Sequence, residues 1–205
     1  MRQAIDRLGI KGSVLVTSNR KPLLEYATNN STDTSYLINS VQKSMTAAMV
    51  MREVQKGKLS LDDPLSKFYP NVDGADNVKI SNLLTMTSGL DLETDQQLGT
   101  PEFISDEANI AHDAKYTVFD GRKLGKWHYT AVNYIYLCGI LSKLEHKSYE
   151  KLFRETYIKP LKLKQTEFLW SSMTKLKSAG WVPGYERSSG QFVRVDHDQA
   201  VKDAH

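Results

Sequence analysis

Four serines in the chain are followed, three residues later, by a lysine. The pairs begin at Ser18, Ser40, Ser148 and Ser172. On a helix, residues three apart share a face, so each lysine amine could lie one turn from its serine hydroxyl. Serine is a poor nucleophile until a neighbouring group takes its proton, and a lysine can take it only when burial or a nearby cation lowers its pKa from about 10.4. The spacing therefore suits acyl transfer, in which a serine attacks a carbonyl.

Ser40 differs from the other three serines in the sequence that follows it. Between Met45 and Met51 only Thr46 is polar, and a helix that is apolar on most sides is expected to be buried. Ser40 would open this helix, where backbone N–H groups and the helix dipole would stabilise an oxyanion. Lys43 is then its proton partner. The motif by itself also fits a serine that only caps the helix, and such short motifs match by chance.

The elements that must position this pair can be read from the hydrophobic pattern. Alternation of apolar residues predicts two hairpins, and helical periodicity predicts helices between them and at the start of the chain. The polar segment from Asp91 to Asp120 is expected to hold one helix. The predicted hairpins cover 12–27 and 181–195, and the predicted helices cover 1–8, 41–55, 80–87, 101–111, 132–144 and 149–157. Strands, then mostly helices, then strands predict an α+β or mixed architecture.

Charge and composition argue against several classes of protein. The net charge is only +3 over 205 residues, and no long Lys/Arg run marks a nucleic-acid partner. No apolar run approaches the roughly 18 residues of a membrane span. The charged opening residues differ from a signal peptide, so the chain is expected to be mature or trimmed protein. Cys138 is the only cysteine, which precludes an internal disulfide, and its apolar neighbours predict a buried side chain.

Other residues that could carry chemistry give weaker signals. Asp196, His197 and Asp198 could bind a metal, but a structural site needs about four converging ligands, and adjacent residues in a polar tail are usually solvated. His128 and Trp127 could line a cleft or could only pack in the scaffold. The sequence contains no Gly-rich phosphate loop and no Cys/His spacing for zinc. We therefore expect no metal and no cofactor.

Three blocks of sequence, in order, resemble the serine β-lactamase and penicillin-binding-protein family, most closely its class C and esterase-like branch. The blocks are Tyr36 to Pro64, Lys79 to Leu90, and a broken stretch from Tyr129 through Asn133-Tyr134, Gly139 and 147–153 to Pro160-Leu161. With the gaps between them, they extend over about residues 12–195. Three blocks in the right order are much more specific than Ser-x-x-Lys alone.

The resemblance implies a fold and a set of roles. It implies one β-lactamase-like domain over 1–205, with an antiparallel sheet flanked by a mainly helical subdomain at roughly 60–170. In this family the serine is acylated by an amide, ester or β-lactam carbonyl, and the lysine moves the proton. A Tyr-x-Asn motif adds a tyrosine that assists proton transfer. By alignment this is Tyr129, 89 residues after Ser40. The alternative for Tyr129 is a buried aromatic bonded to backbone.

Two departures from the family pattern bear on activity. The asparagine position of Tyr-x-Asn holds Ala131, and alanine has no side-chain amide with which to bind a substrate. The formal match Tyr69-Pro70-Asn71 lies in an irregular stretch too close to Ser40 to replace it. The family's Lys-Thr-Gly or His-x-Gly motif does not occur after Tyr129. We therefore expect the chain to be truncated before the last strands of the fold.

Two hypotheses about function follow. The first is a serine hydrolase or acyltransferase that acts on D-alanyl peptides, on D-alanyl esters of wall polymers, on small esters or on β-lactams, outside the cytoplasm at the cell surface. Its partner would be a small molecule or a peptidoglycan or other wall polymer. The second is a penicillin-binding or wall-associated binding protein that has lost turnover. Ser40, Lys43 and Tyr129 favour the first hypothesis, whereas Ala131 and the missing third motif favour the second.

Overall fold

A computed structural model describes residues 2–8, 12–28, 30–93, 105–188 and 191–194 of the chain. The chain divides into two compact units. The first, here called the strand unit, comprises residues 1–37 and 163–201, and the second, here called the helical unit, comprises residues 38–162 and 202–205. The metal candidates at Asp196, His197 and Asp198 lie outside the described residues. The expectation of a single domain over 1–205 stays a prediction.

In the part of it that the structure describes, the strand unit consists of two antiparallel hairpins and two short helices. Its elements are α1 (Arg2–Leu8), β1 (Gly12–Ser18), β2 (Lys21–Thr28), α7 (Met173–Ser178), β5 (Tyr185–Ser188) and β6 (Gln191–Arg194). The turn between β1 and β2 consists of Asn19 and Arg20, both with positive φ, as a two-residue hairpin turn that follows the strand twist requires. The antiparallel pairing of β1 with β2 and of β5 with β6 confirms the two hairpins predicted from the sequence.

Among its described residues, the helical unit contains the five remaining α-helices and one small sheet. Its elements are α2 (Gln42–Gln55), α3 (Ile80–Leu84), β3 (Leu90–Leu92), α4 (Asp106–Ala114), β4 (Thr117–Phe119), α5 (Val132–Glu145) and α6 (Tyr149–Phe153). A 3₁₀ turn, Asn39–Val41, precedes α2, and α6 continues into one π-helical turn, Arg154–Ile158. The strands β3 and β4 pair antiparallel. Within the described part of the chain, no helix has the length and apolar character needed to cross a bilayer.

Helix α5 is the centre of the helical unit, and α2, α3, α4 and α6 all pack against it. Half of its fourteen residues are buried, on more than one side of the helix. Gly139 lets neighbouring side chains lie directly against the α5 backbone, because a Cβ at this position would overlap the hydroxyl of Tyr69 and the Cδ1 of Ile110. Helix α5 is therefore a fixed core element, and the residues just before it are held in a defined place.

Two sequence expectations about helices need correction. Helix α2 is not buried on all sides, because the Met51 side chain is 44% exposed and only Thr46, Met49, Val50 and Glu53 are buried. The apolar composition of this helix therefore overestimated its burial. The helix expected at 101–111 begins at Asp106 instead, where the Ser105 side chain accepts the Ala108 N–H at 3.1 Å and caps it. Residues 101–104 lie outside the described part of the chain.

Candidate active site

Ser40 lies on the 3₁₀ turn that leads into α2. The turn begins at Asn39, whose φ of 42° is left-handed, a conformation that asparagine tolerates better than most residues. The N–H of Val41 donates to the carbonyl of Ile38 at 3.0 Å and closes the turn. Ser40 itself is exposed. The hydroxyl is thus presented to solvent from a rigid position at the start of a fourteen-residue helix.

Lys43 lies one turn further along, on the same face as Ser40. Its Nζ donates a hydrogen bond to Ser40 Oγ at 2.9 Å, as the three-residue spacing predicts. The ammonium also lies 5.4 Å from the ring centroid of Tyr129 and 5.9 Å from that of Tyr134. Both distances are within the range of a cation–π attraction. Lys43 is therefore held by a hydroxyl and two aromatic rings.

Tyr129 completes the cluster from a loop that precedes α5. Its hydroxyl donates to Ser40 Oγ at 2.6 Å. The loop is tied to the segment after α3, because the N–H of His128 donates to the Met86 carbonyl and the N–H of Gly125 to the Thr87 carbonyl, each at 2.8 Å. These backbone bonds explain how a residue so distant in sequence from Ser40 reaches hydrogen-bonding distance of it.

The two tyrosines beside Lys43 have opposite shifts in pKa. The hydrogen bond with Ser40 is the largest cause of a lowered pKa at Tyr129, and Lys43 lowers it further, against a smaller opposing effect of burial. Burial is the main cause of a raised pKa at Tyr134. Tyr129 is thus the phenol that more readily loses its proton, whereas Tyr134 stays neutral.

This geometry suits the removal of a proton from a serine. Ser40 Oγ accepts hydrogen bonds from both Lys43 and Tyr129, so an alkoxide at this position would be stabilised by two donors. Conversely, one of the two must give up its proton before it can accept the serine hydrogen. The arrangement can therefore activate Ser40 when one of the two groups, Lys43 or Tyr129, has lost its proton and the other has kept it.

The other Ser-x-x-Lys pairs have structural positions. Ser148 is the N-cap of α6 and accepts the N–H of Lys151 at 3.3 Å, and Ser172 is the N-cap of α7 and accepts the N–H of Lys175 at 3.5 Å. Ser18 ends strand β1. In the cap pairs it is the lysine backbone that bonds to the serine, whereas at Ser40 it is the lysine amine.

Ala131 lies at the N-cap of α5, two residues after Tyr129. Its carbonyl accepts the N–H groups of Tyr134 and Ile135 at 3.0 and 3.1 Å, so its backbone serves the helix, and its methyl side chain has no hydrogen-bonding atom. The alternative Tyr69-Pro70-Asn71 does not join the site. Tyr69 packs against the buried Tyr136 instead, with ring centroids 5.2 Å apart and ring planes tilted by 54°.

His128, which the sequence offered as a cleft or scaffold residue, has a partner that no sequence pattern indicated. Nε2 of His128 lies 2.7 Å from Oδ2 of Asp91, and Nζ of Lys123 lies 3.6 Å from the same oxygen. Residues 37 apart carry no local signal of such a contact. Trp127 is 72% exposed and so is not a packing residue of the scaffold. No group of three or more metal-ligating side chains occurs among the described residues.

Comparison with known proteins gives a consistent result. The sequence model of one family, described as Beta-lactamase, matches residues 1–193. PbpX of Bacillus subtilis strain 168 is 25% identical over 168 residues, which cover 76% of this chain and 41% of PbpX. The chain thus spans about two fifths of the length of this curated relative.

Solved structures share the fold. FmtA from Staphylococcus aureus superposes with a TM-score of 0.80 at 22% identity, over 97% of this chain and 56% of FmtA. A class C β-lactamase in complex with cefoxitin superposes with a TM-score of 0.68 at 24% identity, over 95% of this chain and 55% of that protein. The predicted α+β fold of the β-lactamase/transpeptidase type is confirmed. The chain spans about half the length of these neighbours.

Proposed function

The chain belongs to the β-lactamase family, and on that premise we propose that it is a serine hydrolase or acyltransferase that forms an acyl-enzyme on Ser40. The observation that carries the proposal is the double hydrogen bond to Ser40 Oγ, from Lys43 at 2.9 Å and from Tyr129 at 2.6 Å. Both donors are groups that can exchange a proton. Ser148 and Ser172 are also followed by a lysine three residues later, but each accepts from the backbone N–H of that lysine instead.

The proposed reaction has two stages. In the first, the deprotonated member of the Lys43–Tyr129 pair takes the hydroxyl proton while Ser40 Oγ attacks the substrate carbonyl, and the same proton then passes to the leaving group as the carbonyl bond to it breaks. In the second stage, water or another hydroxyl attacks the ester carbonyl on Ser40, loses its proton to the pair, and frees Ser40, which regains a proton. No cofactor enters either stage.

The proposed substrates are carbonyl compounds of the classes the family pattern implies: D-alanyl peptides, D-alanyl esters of wall polymers, small esters and β-lactams. Such substrates place the protein outside the cytoplasm at the cell surface, with a wall polymer or a small molecule as its partner and no nucleic acid. The fold shared with a β-lactamase that binds cefoxitin supports a test with β-lactams. The exposed Ser40 supports access for a polymer-linked group.

Ala131 supports a second candidate, a binding protein of the same family that is acylated slowly or not at all. An alanine at the position of the family asparagine removes the side-chain amide that would hold a substrate amide. A protein of this kind would keep the fold and bind a penicillin or a wall polymer without turnover.

The test is the intact mass of the protein after incubation with a fluorophosphonate and, separately, with a penicillin. We expect one adduct that maps to Ser40 and that is missing in Ser40→Ala. The matched controls are Ser148→Ala and Ser172→Ala, which remove the serine of an equivalent motif and should leave the adduct unchanged. An adduct that persists in Ser40→Ala would reject the assignment. Penicillin binding without any adduct would favour the second candidate.

A further inference from the structure

We propose that Tyr134 is a positioning residue for Lys43, and that the face of its ring holds the lysine ammonium beside Ser40. This proposal rests on the proposed function, because it concerns the group that exchanges a proton with the nucleophile. Tyr134 belongs neither to the Ser-x-x-Lys pair nor to the Tyr-x-Asn position. In the described hydrogen bonds, Ser40 Oγ is bonded to Lys43 and Tyr129 and not to Tyr134.

The first support is the set of partners around the Lys43 ammonium. Its Nζ lies 5.9 Å from the Tyr134 ring centroid and 5.4 Å from that of Tyr129. The ion pairs of the described residues include none that involves Lys43. A flexible four-carbon side chain without an ion pair needs another restraint to stay in one rotamer. The two ring faces provide it.

The second support is the way in which Tyr134 is itself fixed. It lies in the first turn of α5, and its hydroxyl donates to the carbonyl of Leu84, the last residue of α3, at 3.2 Å. Both ends of the side chain are therefore anchored, one on each of two packed helices. The side chain therefore cannot swing to another χ1 rotamer, away from Lys43, without breaking this hydrogen bond.

The third support is the division of roles between the two rings. Burial raises the pKa of Tyr134, so its phenol keeps its proton and donates it to the Leu84 carbonyl. An aromatic face attracts an ammonium without accepting a hydrogen bond in the way a carboxylate does. The lysine N–H groups therefore remain available for Ser40. An amide at position 131 would offer another polar partner, but Ala131 provides none.

The test uses two replacements of nearly equal shape in the full chain. Tyr134→Phe keeps the aromatic face, whereas Tyr134→pentafluorophenylalanine keeps a ring but removes the negative charge density of its face. We expect Ser40 acylation by a fluorophosphonate to be about two- to tenfold slower in the fluorinated variant than in Tyr134→Phe. Equal rates in the two variants, with equal melting temperatures, would overturn the proposal, because a ring with only a packing role would serve equally well in both.

A second readout does not depend on Ser40. Acetic anhydride acetylates only the free-base form of an amine, so the rate at Lys43 falls as the neighbouring rings stabilise its ammonium. The rate is measured from peptide masses, with the exposed Lys175 as the internal reference. We expect Lys43 to react about two- to tenfold faster in the fluorinated variant than in Tyr134→Phe. Equal reactivity would overturn the proposal. Failure of the wild-type protein to acylate at Ser40 would instead reject the proposed function, and the Lys43 comparison would still decide the role of Tyr134.

Discussion

The hydroxyl oxygen of Tyr129 lies 2.6 Å from Ser40 Oγ, although 89 residues separate the two in sequence. The contact depends on the packing of α2 against α5, because Ser40 precedes the first helix and Tyr129 precedes the second. The chain between them includes α3, β3 and α4, each of which contacts α5. The helical unit therefore places three proton-carrying side chains at the N-terminal ends of two packed helices.

The rate of Ser40 acylation should rise with pH as the Tyr129 hydroxyl loses its proton. The hydrogen bond with Ser40 and the nearby Lys43 lower the pKa of Tyr129 from its ordinary value of 10. A lowered pKa means that the phenolate, which is the form that can accept a proton, is reached at lower pH than in free tyrosine. We therefore expect a midpoint below 10 in a plot of the fluorophosphonate rate constant against pH.

Tyr129→Phe should remove this rise of the rate with pH. It should also lower the acylation rate by about 10²- to 10⁴-fold, the usual contribution of a positioned acid or base. Tyr116→Phe is the matched control, because Tyr116 stacks on His112 and makes no described contact with Ser40. An unchanged pH profile in Tyr129→Phe would show that another group is responsible for the rise.

Lys43→Met should abolish most acylation without destabilising the fold. Methionine has a similar length but no amine, so Ser40 loses one of its two hydrogen-bond donors, and we expect a loss of about 10²-fold or more in rate. The methionine sulfur can replace the cation–π contacts with the rings of Tyr129 and Tyr134 by sulfur–aromatic contacts of similar size, so the free energy of unfolding should change by about 1 kcal/mol or less. Lys151→Met is the control, since Lys151 bears the same relation in sequence to Ser148. Similar rates in the two variants would contradict the assignment of Lys43.

Ala131→Asn should increase acylation by amide-bearing substrates. It restores the side-chain amide that the family carries at this position, and a hydrogen bond to a substrate amide contributes about 1 kcal/mol, or roughly fivefold in rate. The effect should appear with a penicillin and be small with an ester that has no amide. Ala131→Leu has nearly the same shape without the amide and is the control. An equal gain in the two variants would mean that packing, rather than the amide, is responsible.

The sequence predicted local relations well and distant ones poorly. The contact of Lys43 with Ser40 follows from helical spacing, so the motif alone predicts it. The contact of Tyr129 with Ser40 came from a resemblance to a family, because no local pattern links residues so far apart. The hydrogen bond between Asp91 and His128, and the ring of Tyr134 beside Lys43, had no sequence signal at all. Such contacts are set by how helices pack, which single-chain periodicity does not encode.

Errors in the fold prediction have similar causes. Strands β3 and β4 have three residues each, too few for alternation to be visible. The expected burial of α2 was wrong at Met51 because composition reports apolar character but not which side faces a neighbour. Several polar residues in this segment could have capped α4, and only the backbone geometry shows that Ser105 is the cap.

Two neighbouring tyrosines, Tyr69 and Tyr136, should respond in opposite ways to loss of the hydroxyl. The hydroxyl of Tyr69 is buried without a hydrogen-bond partner among the described residues, whereas that of Tyr136 lies 2.8 Å from the hydroxyl of Thr117. Tyr69→Phe removes an unpaired polar group and should stabilise the protein by about 1 kcal/mol. Tyr136→Phe leaves Thr117 with one bond fewer and should destabilise it by about 1 kcal/mol. Urea denaturation measures both changes, and changes of the same sign would contradict this account.

Gly139→Ala should destabilise the protein even though alanine is the better helix former. In an exposed helix the substitution stabilises by about 1 kcal/mol. Here the new Cβ would overlap the hydroxyl of Tyr69 and the Cδ1 of Ile110, and overpacking of this kind costs about 1–3 kcal/mol beyond any such gain. The double variant Tyr69→Phe/Gly139→Ala removes one of the two overlapping groups, so it should recover part of the lost free energy of unfolding. A double-mutant cycle should then give a coupling energy of at least about 0.5 kcal/mol between the two substitutions. Strict additivity would mean that the backbone of α5 moves to accommodate the methyl group instead of pressing it against Tyr69.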